Sequence, residues 1–235
     1  MCFLSSESKV WLAGFSDKGG LAALASLIHM PSSEEGGFPD TQARSVALSC
    51  VKAMVNNCGI SLLVDNHAAM KSVCQGLFAK EQVLRLQVLD LATSICWAHS
   101  SGHQAVVSIL GDERGCQVVV DEIFSAVDTT MQQKQQQRVS ILHSVIAFVN
   151  ALINAFHRPE YRNKTRQQFL NLGITDALVE MKRWMDRQPL NSVSGTSDPF
   201  NQLTTQMDIF HKQHKNDKAR SLLLTTPSSS SSSSS

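Results

Sequence analysis

Proline is missing from every position between Asp40 and Arg158, and aromatic residues make up only 6% of the chain. The first absence removes the residue that breaks helix interiors, so a long span of uninterrupted helices joined by Gly, Asn and Ser turns is expected. The second argues against a core built on large rings; medium aliphatic side chains interdigitate between helices better than they fill a β-sandwich. Charge of one sign is lacking as well. The 21 Lys and Arg face 20 Asp and Glu, which leaves no field to gather nucleic acid or an anionic membrane. No stretch of about 18 apolar residues offers a membrane span. The opening MCFLSSESKV lacks the charged-then-apolar order of a signal peptide, so a cytoplasmic location is expected.

Chemistry-bearing patterns are equally scarce. The six cysteines, Cys2, Cys50, Cys58, Cys74, Cys96 and Cys116, are scattered rather than crowded, and read as reduced, mostly buried small hydrophobes. No phosphate-binding G-x-x-x-x-G-K-(S/T) run, paired-carboxylate helix motif or Cys beside a Gly-rich turn occurs. The nearest approach to a metal cluster is Cys96, His99 and His103 in CWAHSSGH. Gly102 and the two serines imply a helix end there, which would splay the three side chains. Neither catalysis nor a metal nor a cofactor is expected.

What the chain does have is aliphatic periodicity, with 43% of residues hydrophobic. Candidate helices fall near 6–15, 19–30, 41–56, 60–65, 67–78, 80–97, 102–112, 115–130, 135–156, 160–172, 175–187 and 200–220. In the third, Ala43, Val46, Ala47, Cys50, Val51, Met54 and Val55 draw a broad apolar stripe, and Asp40 supplies an N-cap. In the sixth, Val83, Leu86, Leu89, Leu91 and Ile95 leave little exposed face. Short helices alternating with longer, more apolar ones suit an α-solenoid, in which each repeat closes its core only on its neighbours. The fold class expected is all-α, an armadillo-like solenoid of about four irregular repeats; a compact helical bundle is the alternative. PSSEEGGFPD and QPLNSVSGTSDPF read as loops, and TTPSSSSSSSS as a disordered tail. After the second loop, Phe200, Leu203, Met207 and Phe210 mark a terminal helix, read as a cap in preference to a coiled coil. The basic runs MKRWMDR and HKQHKNDKAR read as solvated helix faces.

Three segments carry a more specific signal. IAFVNALINAFHRPEYRNKTRQQFLNLG, from Ile146 to Gly173, pairs an apolar helix with an amphipathic return helix stopped by Gly173, the residue best suited to the left-handed conformation. CVKAMVNNCGI spans Cys50 to Ile60, and SKVWLAGFSDKGGLAALASLI spans Ser8 to Ile28. Together, in this order, they resemble the N-terminal regulatory region of diaphanous-type formins, with its F-(I/V)-N-A-(L/I) helix, R...(E/Q)-F-x-x-L-G element, C-(V/L/I)-K-A-x-(M/V)-N-(N/S)-x-x-G segment and V-x-W-x-x-x-F opening. The resemblance covers roughly Ser8 to Leu224.

It implies an armadillo-type superhelix that binds a Rho-type GTPase in its GTP form and a C-terminal helix of the parent protein, and so controls actin assembly only indirectly. By the resemblance, Asn56 and Asn57, with Lys52 one turn earlier, form the GTPase contact; bare sequence makes Asn57 a helix C-cap. Asn150, Ala151 and Asn154 flank the groove for the autoinhibitory helix, with Gln137 on its polar rim. Sequence alone makes Ala151 equally well a tight packing position. The expected divisions are 1–39, N-terminal helices and loop left from a GTPase-binding region; 40–188, the repeats; 189–224, linker and terminal helix; and 225–235, the poly-Ser tail. A cytoskeleton-associated location follows, and a homodimer is compatible with it. The rivals are a general armadillo or HEAT peptide adaptor unrelated to actin, and an enzyme built on Cys96, His99 and His103.

Overall fold

In the computed structural model, which describes residues 6–29, 41–128, 134–188 and 199–225, the regular elements are twelve α-helices and one short 3-10 turn. They fall into four units. The first holds α1 (Ser6–Asp17), α2 (Gly20–His29) and α3 (Thr41–Cys58). The second holds α4 (Ser61–Val64), α5 (His67–Gln75), the 3-10 turn at Gly76–Phe78 and α6 (Gln82–Ala98). The third is α7 (Ser100–Leu110), α8 (Glu113–Val127) and α9 (Gln135–Asn154). The fourth is α10 (Pro159–Asn171), α11 (Ile174–Asp186) and α12 (Pro199–Thr225). The longest helix closes each unit, and these four stack in chain order, α3 on α6, α6 on α9 and α9 on α12. Behind them α2 packs on α5 and α8 on α11. This is the armadillo-like solenoid expected from the periodicity.

The core lies between the two ladders. In α9, Val139, Leu142, Val145, Ile146, Phe148, Val149, Leu152 and Ile153 are all buried, because this helix is covered by α6, α8, α10 and α12. A helix apolar on most of its circumference has to be enclosed in this way. Burial of these side chains supplies most of the driving force at about 25 cal/mol per Å² of apolar surface.

Arginines fasten the units at their polar seams. Arg44 on α3 donates from Nε and Nη2 to the Ile28 carbonyl, at 3.1 and 2.9 Å, and from Nη1 to Glu81 Oε2 at 2.9 Å, joining α2, α3 and the entry to α6. Arg85 on α6 pairs with Glu122 on α8. Arg138 on α9 donates to the Asp128 carbonyl at 2.8 Å. In the fourth unit Arg162 and Arg166, one turn apart on α10, converge on Asp217 of α12, with Arg162 Nη2–Asp217 Oδ1 at 2.6 Å and Arg166 Nη1–Asp217 Oδ2 at 3.0 Å. A buried charge is tolerated only when paired and hydrogen-bonded, and Asp217 has both guanidinium partners. Burial alone would raise its pKa; the hydrogen bonds and positive charge of Arg162 and Arg166 hold it below the usual carboxylate value.

Several sequence expectations are corrected here. The helix break near Cys96 falls at His99, so Gly102 lies inside α7 and is buried. Val46 and Val83, read as stripe residues, are 54% and 56% exposed, and Cys50 is exposed. The HKQHKNDKAR run is not wholly a solvated face, since Asp217 within it is buried. Gly173 does adopt φ +85° between α10 and α11, as the return-helix motif requires. The terminal helix inserts Leu203, Met207 and Phe210 into the common core and packs on α9 and α10. The Asp40 cap, both loops and the poly-Ser tail lie outside the described residues.

Candidate interaction surface

Each of the stacked long helices has one face free of the core, and its residues recur at intervals of three and four. On α3 the exposed positions are Gln42, Val46, Ser49, Ala53 and Asn56. On α6 they are Val83, Asp90, Ser94 and Trp97, with Gln87 half-buried among them. On the first half of α9, Gln137 and Ser140 are exposed, followed by half-buried Ser144 and Ala147. Ser45 Oγ lies 3.1 Å from Gln87 Oε1, so the α3 and α6 faces adjoin. Trp97 is 59% exposed, an unusual position for a large ring.

The face is nearly free of charge: of these residues only Asp90 is ionised, although Lys and Arg with Asp and Glu number 41 in the chain (21 and 20). Elsewhere the exposed surface is charged in the ordinary way, as along α11 with Asp176, Lys182, Arg183 and Asp186. Depletion of charge beside an exposed aromatic ring is a feature of interface cores.

The proposed GTPase contacts sit at the end of this face. Asn56 is exposed on the same stripe of α3, and Lys52 is half-buried one turn earlier. Asn57 turns its amide back, donating from Nδ2 to the Ala53 carbonyl at 2.7 Å. Gly59 follows at φ +95°, the left-handed conformation that stops α3 and fixes where these amides stand. The local hydrogen bond fits the capping reading of Asn57; Asn56 is the amide directed to solvent.

Asn150, Ala151 and Asn154 occupy the continuation of the α9 stripe, but the face closes there. Ala151 is 0% exposed and Asn150 2%. Asn150 Nδ2 donates to the Gln206 carbonyl at 2.8 Å and lies 2.9 Å from Gln206 Oε1, so α12 crosses the end of α9 at this point. Asn154 is half-buried, with its Oδ1 covered and unpartnered. Asn150 and Ala151 thus lie on the part of the stripe that α12 covers, and Gln137, Ser140, Ser144 and Ala147 on its more open part. Trp97, Val46 and Val83 went unnoticed as surface groups because apolar residues at helical spacing read as core; the signal available was the lack of charge at the intervening positions.

Cys96 and His103 point to structural duties. His103 is buried with Nε2 2.9 Å from the Leu152 carbonyl and its ring edge-on to Phe156 at 4.4 Å. Burial lowers its pKa, only partly offset by that hydrogen bond, and nearby His157 lowers it further. The Cys96 thiol is buried and pushed above its ordinary value by desolvation. Among the described residues no helix is long and apolar enough to cross a membrane.

The stacked long helices thus present a face with a single ionised side chain, Asp90, and with Trp97 exposed in the last turn of α6. In a comparison with known proteins, the Diaphanous FH3 Domain family matches residues 116–223, which includes most of α12. Similar chains are inverted formin-2 of Xenopus laevis, 22% identical over 80% of this chain and 17% of that protein; Formin-A of Dictyostelium discoideum, 21% identical over 91% of this chain and 17% of that protein; and protein diaphanous homolog 2 of Homo sapiens, 19% identical over 76% of this chain and 16% of that protein. No solved structure matches the chain. Residues 116–223 thus match the FH3 region of diaphanous-related formins, and similarity to formins extends over most of the chain. The chain spans about a sixth of the length of the curated relatives it matches.

Proposed function

We propose that this chain is a non-enzymatic regulatory module that controls the actin-assembling activity of a formin. It acts in the cytoplasm at the cytoskeleton by binding a Rho-type GTPase in its GTP form and, in competition, a C-terminal helix of the parent protein. The observation that carries this reading is the charge-poor face of α3, α6 and the first half of α9, with Asp90 its one ionised residue and Trp97 exposed in the last turn of α6. An amphipathic helix laid across that face would set its aliphatic residues against Val46, Val83 and Trp97, the groove mode of peptide recognition. Serine, asparagine and glutamine side chains around them hydrogen-bond in either sense, which suits a partly wet rim. Ala151 and Asn150 act from beneath, by setting how closely α12 approaches α9 and so where the groove ends, while Asn154 and Gln137 lie along its edge.

The shared use of α3 supports competition between the two ligands. Asn56 and Lys52 lie on the helix that also supplies Val46 and Ala53, so a GTPase seated there crowds a helix lying over α3 and α6. A coupling of about 1–3 kcal/mol, reciprocal by necessity, shifts occupancy five-fold or more. The test is a titration of the fluorescently labelled C-terminal helix of the parent formin against wild type, Trp97→Ala and Asn56→Asp, with and without GTP-loaded GTPase. Trp97→Ala is expected to weaken helix binding at least tenfold, as loss of an aromatic hot-spot residue does. Asn56→Asp should weaken the GTPase while sparing the helix. Helix affinity unaffected by both Trp97→Ala and the GTPase would refute the reading. A plain peptide adaptor would lose affinity in Trp97→Ala yet ignore the GTPase.

A further inference from the structure

On elements that contribute nothing to the long-helix face, α5, α7 and the start of α8 enclose a surface cavity of about 350 Å³. One wall is a single face of α5, with His67, Lys71 and Gln75 at intervals of four. The other is Arg114, whose guanidinium lies 4.3 Å over the Phe78 ring. That stacking holds the guanidinium plane in place without consuming its hydrogen-bond donors.

The lining of this cavity carries two cations, Lys71 and Arg114, against one acid, Asp112. Neither Lys71 nor Arg114 has an ion-pair partner among the described residues. The one acid in the lining, Asp112, is occupied as the N-cap of α8, accepting from the Gly115 amide at 2.8 Å. The neighbouring cavity of about 330 Å³, which shares Phe78 and Arg114, differs in this respect. Its acids Glu122 and Asp121 are engaged by Arg85 and Gln117. Of the two, only the α5 cavity presents a surplus of donors to a ligand.

We propose that the His67–Lys71–Arg114 cavity binds a phosphate monoester carried on a peptide, a phosphoserine or phosphothreonine side chain. A dianionic phosphate takes the fork of Arg114 and the ammonium of Lys71 as charge-assisted donors, and His67 adds a third. The lining charged groups are all exposed, so the cavity is too open to enclose most of a free small molecule's surface, as a small-molecule site must. A larger carrier supplies the remaining contact along the α5 stripe. The acids Asp112 and Glu113 beside it oppose a broad anionic membrane surface. This site is independent of the long-helix face.

The probes are N-acetyl-phosphoserine N-methylamide, the same compound without phosphate, inorganic phosphate, and vesicles of phosphatidylcholine with phosphatidylserine, each titrated into the whole chain and followed by amide chemical shifts. The expected result is saturable shifts confined to α5 and the start of α8 with the phosphoserine probe alone or in clear preference. Arg114→Gln and Lys71→Gln, both at exposed positions, should each weaken it about tenfold or more, and Arg114→Lys should weaken it less. Either variant suffices if the other fails to fold. Equal shifts with the unphosphorylated probe, shifts scattered over surface lysines, or inorganic phosphate binding as tightly as the peptide probe would overturn the proposal. So would loss of vesicle binding in the variants without any response to the peptide.

Discussion

The two ends of the long-helix row are built from the same repeating pattern and come out differently. On α3 and α6 the stripe that faces away from the core is open, carries Asp90 as its one ionised residue and exposes Trp97 at the end of α6. On the second half of α9 the equivalent stripe, with Asn150 and Ala151, is covered, and the seam beside it is closed by the Asp217 cluster and the Asn150–Gln206 bonds. One region is available to a partner and the other has spent its polar groups on holding the fourth unit in place. Helical periodicity identifies a stripe, but a neighbouring helix decides whether the stripe is surface.

The sharpest way to break this comparison is to place the same charge on both regions. Ile146→Asp should destabilise by about 4 kcal/mol or more, because the carboxylate would be buried without a partner. Val46→Asp, on the open stripe, should stay within about 0.5 kcal/mol in the same denaturant titration. Equal losses would mean that the α3 face is not open in solution.

A smaller loss is expected at the closing seam. Asp217→Ala leaves two guanidinium groups of α10 without their carboxylate, and removal of one partner from a buried pair costs about 3–5 kcal/mol. If α12 is fastened as described, amide exchange should accelerate along α12 and α10 and remain slow in α3. Uniform acceleration would instead indicate that the four units unfold as one.

The mildest perturbation is pH. Burial depresses the folded-state pKa of His103 below its ordinary 6.5, so the unfolded chain takes up its proton first as the pH falls. Stability should therefore fall on acidification from about pH 7.5 toward 5. Part of that slope should disappear in His103→Gln, which keeps a donor for the Leu152 carbonyl. His214, lowered by burial and by neighbouring Arg166 and Lys218, should contribute in the same direction from the fourth unit. An unchanged slope in His103→Gln would assign the pH dependence elsewhere.

Much was legible in the chain itself. The proline-free span, the spacing of Val139 to Ile153 and the Gly173 stop specify helices of given length and place, because hydrophobic period and backbone stereochemistry are local properties. The same holds for the order of the three motifs, which carried the family resemblance. What the chain alone did not decide is which apolar or polar residue ends in the core. Val46 and Val51 read alike in one stripe, yet one faces solvent; Asp217 and Lys218 read alike in one polar run, yet the first is buried. Those outcomes depend on groups far apart in sequence, α6 beside α3 and Arg162 and Arg166 beside Asp217. Burial and ion pairing are properties of neighbours brought together by stacking, and only the tertiary structure supplies the neighbours.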